Sequence, residues 1–433
     1  MSIPEKATVQ QWPSECQTYD RAASSPVPWS EKRSVTLPQI RLDCGDTLAP
    51  VTLAYETWGA LSPARDNVVL LCHALTGDAH ACDIAYPDDP RAGWWNALVG
   101  PGRVFDTNQY FVVCSNVLGG CYGSTGPTSP HPSDGTPYQL RFPHVTIADM
   151  VRAQRALLTQ LGIHRLAVVA GGSLGGIQAL EWALRYPDVV QRAIIIASAA
   201  RLPAQGLAID TIARQMILSD PAWQGGAYAP NAGPKLGLAH ARMLAMLTYT
   251  SAMGLEAHFG RAPASRESAW PRFGLRYNVE TYLLHQGDKF AHRFDANSYL
   301  YLTSAMDQYD VTRSYGPDAV AYARLRANVL AIGISSDWLY PPSHVRALAA
   351  AITMAGGRAT YAEITSPHGH DAFLKEWTQL DEHLRQFLNI PTSDAPLPPT
   401  PNGRAPPYKD ASPPTTSTTF NTPNTQEHNC DKP

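Results

Sequence analysis

A short apolar run that ends in glycines clustered around one serine constrains this chain more than any other stretch. In Ala167-Val168-Val169-Ala170-Gly171-Gly172-Ser173-Leu174-Gly175-Gly176-Ile177-Gln178-Ala179-Leu180-Glu181-Trp182, residues of strand character meet a Gly-Gly-Ser-Leu-Gly turn. Ile177, Leu180, Ala183 and Leu184 then recur at helical spacing until Pro187 closes the helix. Strand, sharp turn and helix form the setting of a G-x-S-x-G elbow. The turn holds its serine in a strained conformation at the top of a sheet, and small neighbours let adjoining backbones approach. The rival, a phosphate-cradling turn, would need G-x-x-x-x-G-K-[ST] or G-x-G-x-x-G, and neither is present here. A serine nucleophile needs a base, an acid to orient the base and an oxyanion hole, so the rest of the chain has to supply them.

The flanking pattern supplies a sheet. Stretches 35–42 and 51–58 alternate apolar and polar residues around Cys44-Gly45-Asp46, which predicts an antiparallel hairpin at a sheet edge. Runs 68–72, 110–114, 193–197 and 329–334 are continuously apolar or nearly so, as suits strands covered on both faces, 360–364 continues the series, and a helix is expected over 147–161. Strands alternating with helices predict a mostly parallel α/β sheet. Between about 200 and 326 the strand signal vanishes, and 207–218, 235–253, 279–290 and 298–306 have helical patterns. This predicts a helical lid inserted over the serine. The expected organisation is therefore a polar, poorly ordered arm over 1–33, a first core part over 34–199, the lid over 200–326 and a second core part over 327–390. A Pro/Thr/Ser-rich tail over 391–433 cannot bury enough apolar surface to fold.

In the α/β-hydrolase order the acid and then the histidine follow the serine. Asp337 follows the strand ending Gly333-Ile334-Ser335-Ser336, where loops at the carboxyl ends of parallel strands collect function. His370, in Ser366-Pro367-His368-Gly369-His370-Asp371-Ala372-Phe373-Leu374, follows the last strand and is expected to open the final helix. His368 is a competing base, and spacing alone leaves the two-residue choice open. The oxyanion donors are expected to be backbone N–H groups of Leu174, after the nucleophile, and of Leu75, in the His73-Ala74-Leu75-Thr76-Gly77-Asp78 loop after an earlier strand. His73, at a strand end, is expected to be a packed histidine that shapes this loop.

Composition narrows the partners. With 433 residues, 44% of them hydrophobic, and a formal charge of −3 spread along the chain, there is neither a basic patch for nucleic acid nor a polybasic membrane anchor. Seven scattered cysteines without C-x-x-C pairs argue against a disulfide framework or a zinc site. No apolar leader or membrane-length run occurs, so a cytoplasmic enzyme acting on small molecules is expected.

Five motifs in order then sharpen the reading. Gly171 to Trp182, His73-Ala74-Leu75-Thr76-Gly77, Tyr301-Leu302-Thr303-Ser304-Ala305-Met306-Asp307, Ser335-Ser336-Asp337-Trp338-Leu339-Tyr340-Pro341-Pro342 and Gly369-His370-Asp371-Ala372-Phe373-Leu374 together closely resemble the homoserine O-acetyltransferase family of α/β-hydrolase-fold enzymes. The resemblance spans about 34–388. It implies ping-pong transfer of an acetyl group from acetyl-CoA, through an acyl-serine, to the hydroxyl of homoserine in methionine biosynthesis. It places the catalytic set on Ser173, Asp337 and His370, and substrate binding on Arg242 and Asp371. It also implies acetyl-CoA as co-substrate, no tightly bound cofactor or metal, and a homodimer through the lid helices. Leu174 stands where the family commonly has methionine, and His368 where it has tyrosine.

The residues themselves support Arg242. The stretch 236–249 is apolar almost all round, predicting a buried helix in which a guanidinium needs an anion, and its fork suits a carboxylate. Tyr249, two turns on, shares its face. Three rivals stand beside this reading: succinyl transfer or serine acylation on the same fold, plain ester hydrolysis, and a non-catalytic binding protein. A succinyl carboxylate would demand an extra cation, for which Arg201, Arg214 and Arg261 are the candidates.

Overall fold

The computed structural model describes residues 32–82, 93–230, 232–264 and 274–391. The expected arm, but for its last two residues, and the tail beyond 391 lie outside the described residues. The strands are β1 (Arg33–Leu37), β2 (Ile40–Arg41), β3 (Thr47–Leu48), β4 (Val51–Trp58), β5 (Val68–Cys72), β6 (Phe111–Ser115), β7 (Val168–Gly172), β8 (Arg192–Ile196), β9 (Asn328–Ile334) and β10 (Arg358–Ile364). The main sheet has the order β1-β4-β6-β5-β7-β8-β9-β10. The β1-β4 and β4-β6 pairs are antiparallel and every later pair is parallel.

The apolar runs are continuous because both faces of the sheet are covered. Leu70, Val113 and Val169 point into one core with Leu157 of α1 (Ile147–Gln160) and Trp182 of α2 (Leu174–Arg185). Val69, Leu71, Val112 and Ala170 point into the other with Trp95 and Phe105. Each fully buried aliphatic or aromatic side chain contributes roughly 1.5–3 kcal/mol relative to exposure. The start of α1 follows from a capping box, in which Thr146 accepts from the Asp149 N–H and Asp149 accepts from the Thr146 N–H.

Among the described residues, seven α-helices and one 3-10 turn (Pro221–Gly226) separate β8 from β9: α3 (Ala204–Leu218), α4 (Lys235–Tyr249), α5 (Ala252–Phe259), α6 (Asn278–Ala291), α7 (Ala296–Gln308), α8 (Val311–Tyr315) and α9 (Asp318–Tyr322). Among the described residues this segment contains no strand beyond isolated bridges. One such bridge, Arg201 with Asp310, and the Val311 N–H to Ala200 carbonyl bond (3.0 Å) join its two ends. The chain closes with α10 (Pro342–Met354) on one face of β9 and β10, and α11 (Trp377–Leu388), whose Leu380, Leu384 and Leu388 cover the opposite core.

Four expectations need correction. The first stretch does not run as one hairpin arm: β1 ends before Pro38, which has no N–H for a ladder, and β2 pairs separately with β3 around Cys44-Gly45-Asp46. Residues 235–253 form two helices, because Thr250 is extended and Ser251 caps α5 by accepting the Gly254 N–H. Helix α4 is not buried all round, since Leu236 is 65% and Leu247 38% exposed. His370 does not open the final helix: it lies in a separate 3-10 turn, Gly369–Leu374, ahead of α11.

Candidate active site

Ser173 stands between β7 and α2 at φ 58°, ψ −125°, a conformation disfavoured for a residue with a side chain. Crowding around the turn explains its glycines. A Cβ on Gly175 would lie 2.0 Å from the Cys72 carbonyl oxygen, one on Gly176 2.2 Å from Ser198 Oγ, and one on Gly172 2.6 Å from the Phe373 ring. The Ser173 N–H donates to Ile196 (3.0 Å), and the Ser198 hydroxyl lies within reach of the Ser173 and Ile196 carbonyls (2.7 and 2.8 Å). Ser198 thus braces the elbow from β8's end, and no motif marked it in the sequence.

The two expected partners of the serine meet. His370 Nδ1 donates to Asp337 Oδ2 at 2.7 Å, while Asp337 Oδ1 accepts from the Leu339 and Tyr340 N–H groups at 2.9 and 3.0 Å. Both are buried, with His370 2% exposed. Its Nε2 is buried without a hydrogen bond, as a base awaiting a proton would be. Burial alone would lower the His370 pKa, but the Asp337 charge and hydrogen bond, joined by Asp371, outweigh it and hold the imidazole above its ordinary value. Tyr340 and Tyr249 lie against the ring at centroid distances of 5.7 and 6.1 Å. His368 is exposed and 3.8 Å from Glu376, away from this pairing. The loops are tied by Ser336, which donates to the Ser366 carbonyl (2.5 Å) and accepts from the Gly369 N–H (3.0 Å).

Among the described residues, neither the Leu75 nor the Leu174 N–H is engaged by another group. The loop that carries Leu75 is held by His73. Its Nδ1–H donates to the Ala74 carbonyl (2.8 Å) and its Nε2 accepts from the Val117 N–H (3.1 Å). Burial lowers the His73 pKa further, so it is a neutral strut with both nitrogens occupied. Behind the elbow, Trp182 donates to Gln154 (2.7 Å), Gln154 to Gln178 (2.8 Å) and Gln178 to the Leu174 carbonyl (3.2 Å).

Two charges near His370 lack protein counter-ions among the described residues. Arg242 is half-buried, reaches the Thr76 hydroxyl only at 3.4 Å, lies 5.0 and 5.1 Å from the ring centroids of Tyr249 and Phe290, and has a buried Nε with no partner. Asp371 is half-buried in the 3-10 turn and enters no ion pair. Both act on the same phenol: burial pushes the Tyr249 pKa up to about 12, with Arg242 opposing and Asp371 reinforcing it. The site therefore offers one cation and one anion flanking neutral tyrosines, an arrangement suited to a zwitterion.

The three lid arginines weighed as partners for a succinyl group are engaged elsewhere. Arg214 pairs with Asp307 (2.5 Å), Arg201 with Asp310 (3.4 Å), and Arg261 stacks on Tyr277 at 4.8 Å. Asp307 shares a hydrogen bond with Asp210, whose carboxyl is pushed far above the usual range by burial and then by the Asp307 charge. Among the described residues no three metal-ligating side chains cluster, and no helix is long and apolar enough to cross a membrane.

A buried serine at an elbow, with an aspartate and then a histidine after the last two strands of a mainly parallel sheet, defines an enzyme of the α/β-hydrolase fold, and the family profile described as alpha/beta hydrolase fold matches residues 67–376. A homoserine O-acetyltransferase from Symbiobacterium thermophilum is 50% identical over 372 residues, 85% of this chain and 97% of that protein. The chain belongs to the homoserine O-acetyltransferase family. In structure it resembles the homoserine O-acetyltransferase from Bacillus anthracis, with TM-score 0.78 and 30% identity over 84% of this chain and 99% of that one. It also resembles esterase E22, with TM-score 0.76 and 29% identity over 83% of this chain and all of that one.

Proposed function

We propose that this protein transfers acetyl from acetyl-CoA to the hydroxyl of L-homoserine, a step of methionine biosynthesis. The carrying observation is the pairing of a buried Ser173–Asp337–His370 set with Arg242 and Asp371, two half-buried, opposite and unpaired charges fitted to an amino acid's carboxylate and ammonium. Ser173 Oγ attacks the thioester carbonyl as its proton passes to His370 Nε2, and the N–H groups of Leu75 and Leu174 hold the oxyanion. The C–S bond breaks, the leaving thiolate takes the proton, and CoA departs from an acetyl-serine. The homoserine hydroxyl then gives its proton to His370 and attacks the ester, and Ser173 Oγ recovers the proton as the product leaves. Tyr249 lies between the triad and Arg242 as a neutral donor.

Acetyl is favoured over succinyl because a second buried carboxylate needs a second buried cation: Arg201 and Arg214 are ion-paired, Arg261 stacks on Tyr277, and the lid cations Lys235 and Arg293, which lack a carboxylate partner among the described residues, are exposed. Helices α3 to α9 act as the lid between the two core parts. Ile212, Leu236, Leu247, Met253 and Leu284 expose apolar side chains on those helices, which supports a homodimer formed through them. The protein works in the cytoplasm without a tightly bound cofactor.

The likeness to esterase E22 favours one second reading, hydrolysis of the acetyl-serine by water. Release of free CoA from acetyl-CoA or succinyl-CoA, each with homoserine, with serine or with no acceptor, separates the two. Rapid release with acetyl-CoA and homoserine alone is expected. Equal release without an acceptor would establish the hydrolase.

A further inference from the structure

The α4 face that brings Arg242 and Tyr249 to the triad continues toward the helix N-terminus through Leu238 to Lys235, four and seven residues before Arg242. There it walls a cavity of about 440 Å³, bounded also by the loop after β6 and by the turn from α6 to α7. That volume lies within the range of about 300–1,000 Å³ usual for small-molecule sites. None of Ser173, Asp337, His370, Arg242, Tyr249 and Asp371 lines it.

Two sets of contacts join this cavity to the reacting centre. Arg293, in the cavity wall, donates to the Thr76 carbonyl at 3.0 Å, and Thr76 follows the oxyanion residue Leu75 and also meets Arg242 through its hydroxyl. The guanidinium groups of Arg293 and Arg242 each lie 5.1 Å from the centroid of Phe290. The cavity and the amino-acid site are thus neighbours around one aromatic ring and one loop residue. At 1.5 Å of rise per residue, Lys235 stands about 10 Å along α4 from Arg242 and about 20 Å from Tyr249.

The charge in the cavity is one-sided. Lys235, His292 and Arg293 line it, and among the described residues Lys235 and Arg293 have no carboxylate partner. His292 Nδ1 lies 3.4 Å from the exposed Asp288 carboxylate. The carboxylate in the lining, Asp295, is already engaged, its Oδ1 accepting the Tyr228 hydroxyl at 2.6 Å and its Oδ2 the Ser298 N–H at 2.7 Å. Arg293 also donates to the Tyr122 hydroxyl at 2.6 Å, a neutral partner that leaves its charge uncompensated. A roomy cavity with cations that lack a carboxylate and an anion already engaged suits phosphate oxygens.

We propose that this cavity takes the phosphate-bearing nucleotide end of the acyl-CoA donor, with its thioester arm laid along α4 past Phe290 to Ser173. The proposal rests on the acyl-CoA reading above. It divides the lid into two binding regions on one helix, the amino acid at Arg242 and the donor's phosphates at Lys235 and Arg293.

The test compares the full-length parent with a Lys235→Glu, His292→Glu double variant and with Lys289→Glu, a charge reversal at an exposed α6 position outside the cavity. CoA binding is measured by calorimetry, and steady-state KM values are measured for acetyl-CoA and homoserine. Acyl-serine formation from p-nitrophenyl acetate, which has no nucleotide, is followed as a burst. The double variant is expected to weaken CoA binding and raise the acetyl-CoA KM about tenfold, the scale of losing a charge-assisted contact to phosphate. Its homoserine KM and p-nitrophenyl acetate burst should change less than twofold, and Lys289→Glu should match the parent. Rising salt should weaken CoA binding to the parent more steeply than to the double variant.

Equal CoA binding by the parent and the double variant overturns the docking site, whether or not the parent transfers acetyl. Equal losses with both donors also overturn it, since the reversal would then have damaged the triad. A parent that binds CoA, loses it in the double variant and yet does not acetylate homoserine keeps the docking site and overturns the acceptor reading. A parent that does not bind CoA overturns both.

Discussion

At the residue scale, the chemistry of the proposed triad turns on how His370 is surrounded. Its neutral form must accept the serine proton, so acylation falls as pH drops through its pKa, which Asp337 and Asp371 hold above the ordinary histidine value of about 6.5. Replacing Asp371 by Asn removes one raising charge. The acid limb of the p-nitrophenyl acetate burst should therefore move to lower pH in Asp371→Asn, and an unmoved or upward-shifted limb would show that Asp371 does not act on the imidazole. The strain at Ser173 carries a second prediction. At φ 58° a glycine adopts the same turn without the Cβ conflict. Ser173→Gly should abolish turnover and raise the urea unfolding free energy by about 1 kcal/mol, the lower end of the usual cost of such a conformation. A destabilised Ser173→Gly protein would mean the serine side chain stabilises the elbow more than its backbone strain costs.

At the scale of elements, the break between α4 and α5 sets the site's shape. The sequence pattern 235–253 reads as one helix, yet its interruption presses Thr250 and Ser251 against both triad loops. Trp338, next to the acid, donates through its indole N–H to the Leu247 and Thr250 carbonyls at 3.0 Å each, capping α4 from outside. Ser251 donates to the Pro367 carbonyl, and a Cβ on Gly369 would sit 2.4 Å from the Thr250 carbonyl carbon. These contacts register Arg242 and Tyr249 against His370. Trp338→Phe keeps the ring and removes the donor. It should raise the homoserine KM about fivefold, the equivalent of roughly 1 kcal/mol for a neutral hydrogen bond, and leave the acylation burst within twofold. Equal loss in both half-reactions would instead place Trp338's effect on Asp337.

At the scale of the molecule, the proposed homodimer rests on the exposed apolar side chains of α3 to α6. Leu236 and Met253 are 65% and 62% exposed on adjoining helices. If those helices form the homodimer, the parent should sediment as a dimer at micromolar concentration, and a Leu236→Lys, Met253→Lys double variant as a monomer with an intact acylation burst. A parent that sediments as a monomer would remove the dimer and leave the active site as described.

Much of this was legible in the linear chain, because strand-length apolar runs, an elbow with obligatory glycines and the order serine, aspartate, histidine are local signals. Local chemistry also selected Arg242 as a guanidinium in need of an anion. What spacing could not decide was which of His368 and His370 faces Asp337. That depends on where Gly369 can pass against Thr250, a contact between segments more than a hundred residues apart. Nor could it reveal that Arg214 is ion-paired with Asp307, or that Lys235 and Arg293 line one cavity. Sequence by itself determined most of the elements and the candidate catalytic residue types, through periodicity, turn chemistry and chain order. Only the tertiary structure decided which charges are paired and which remain free for substrate, because a counter-ion acts over a few ångströms of space regardless of its distance along the chain.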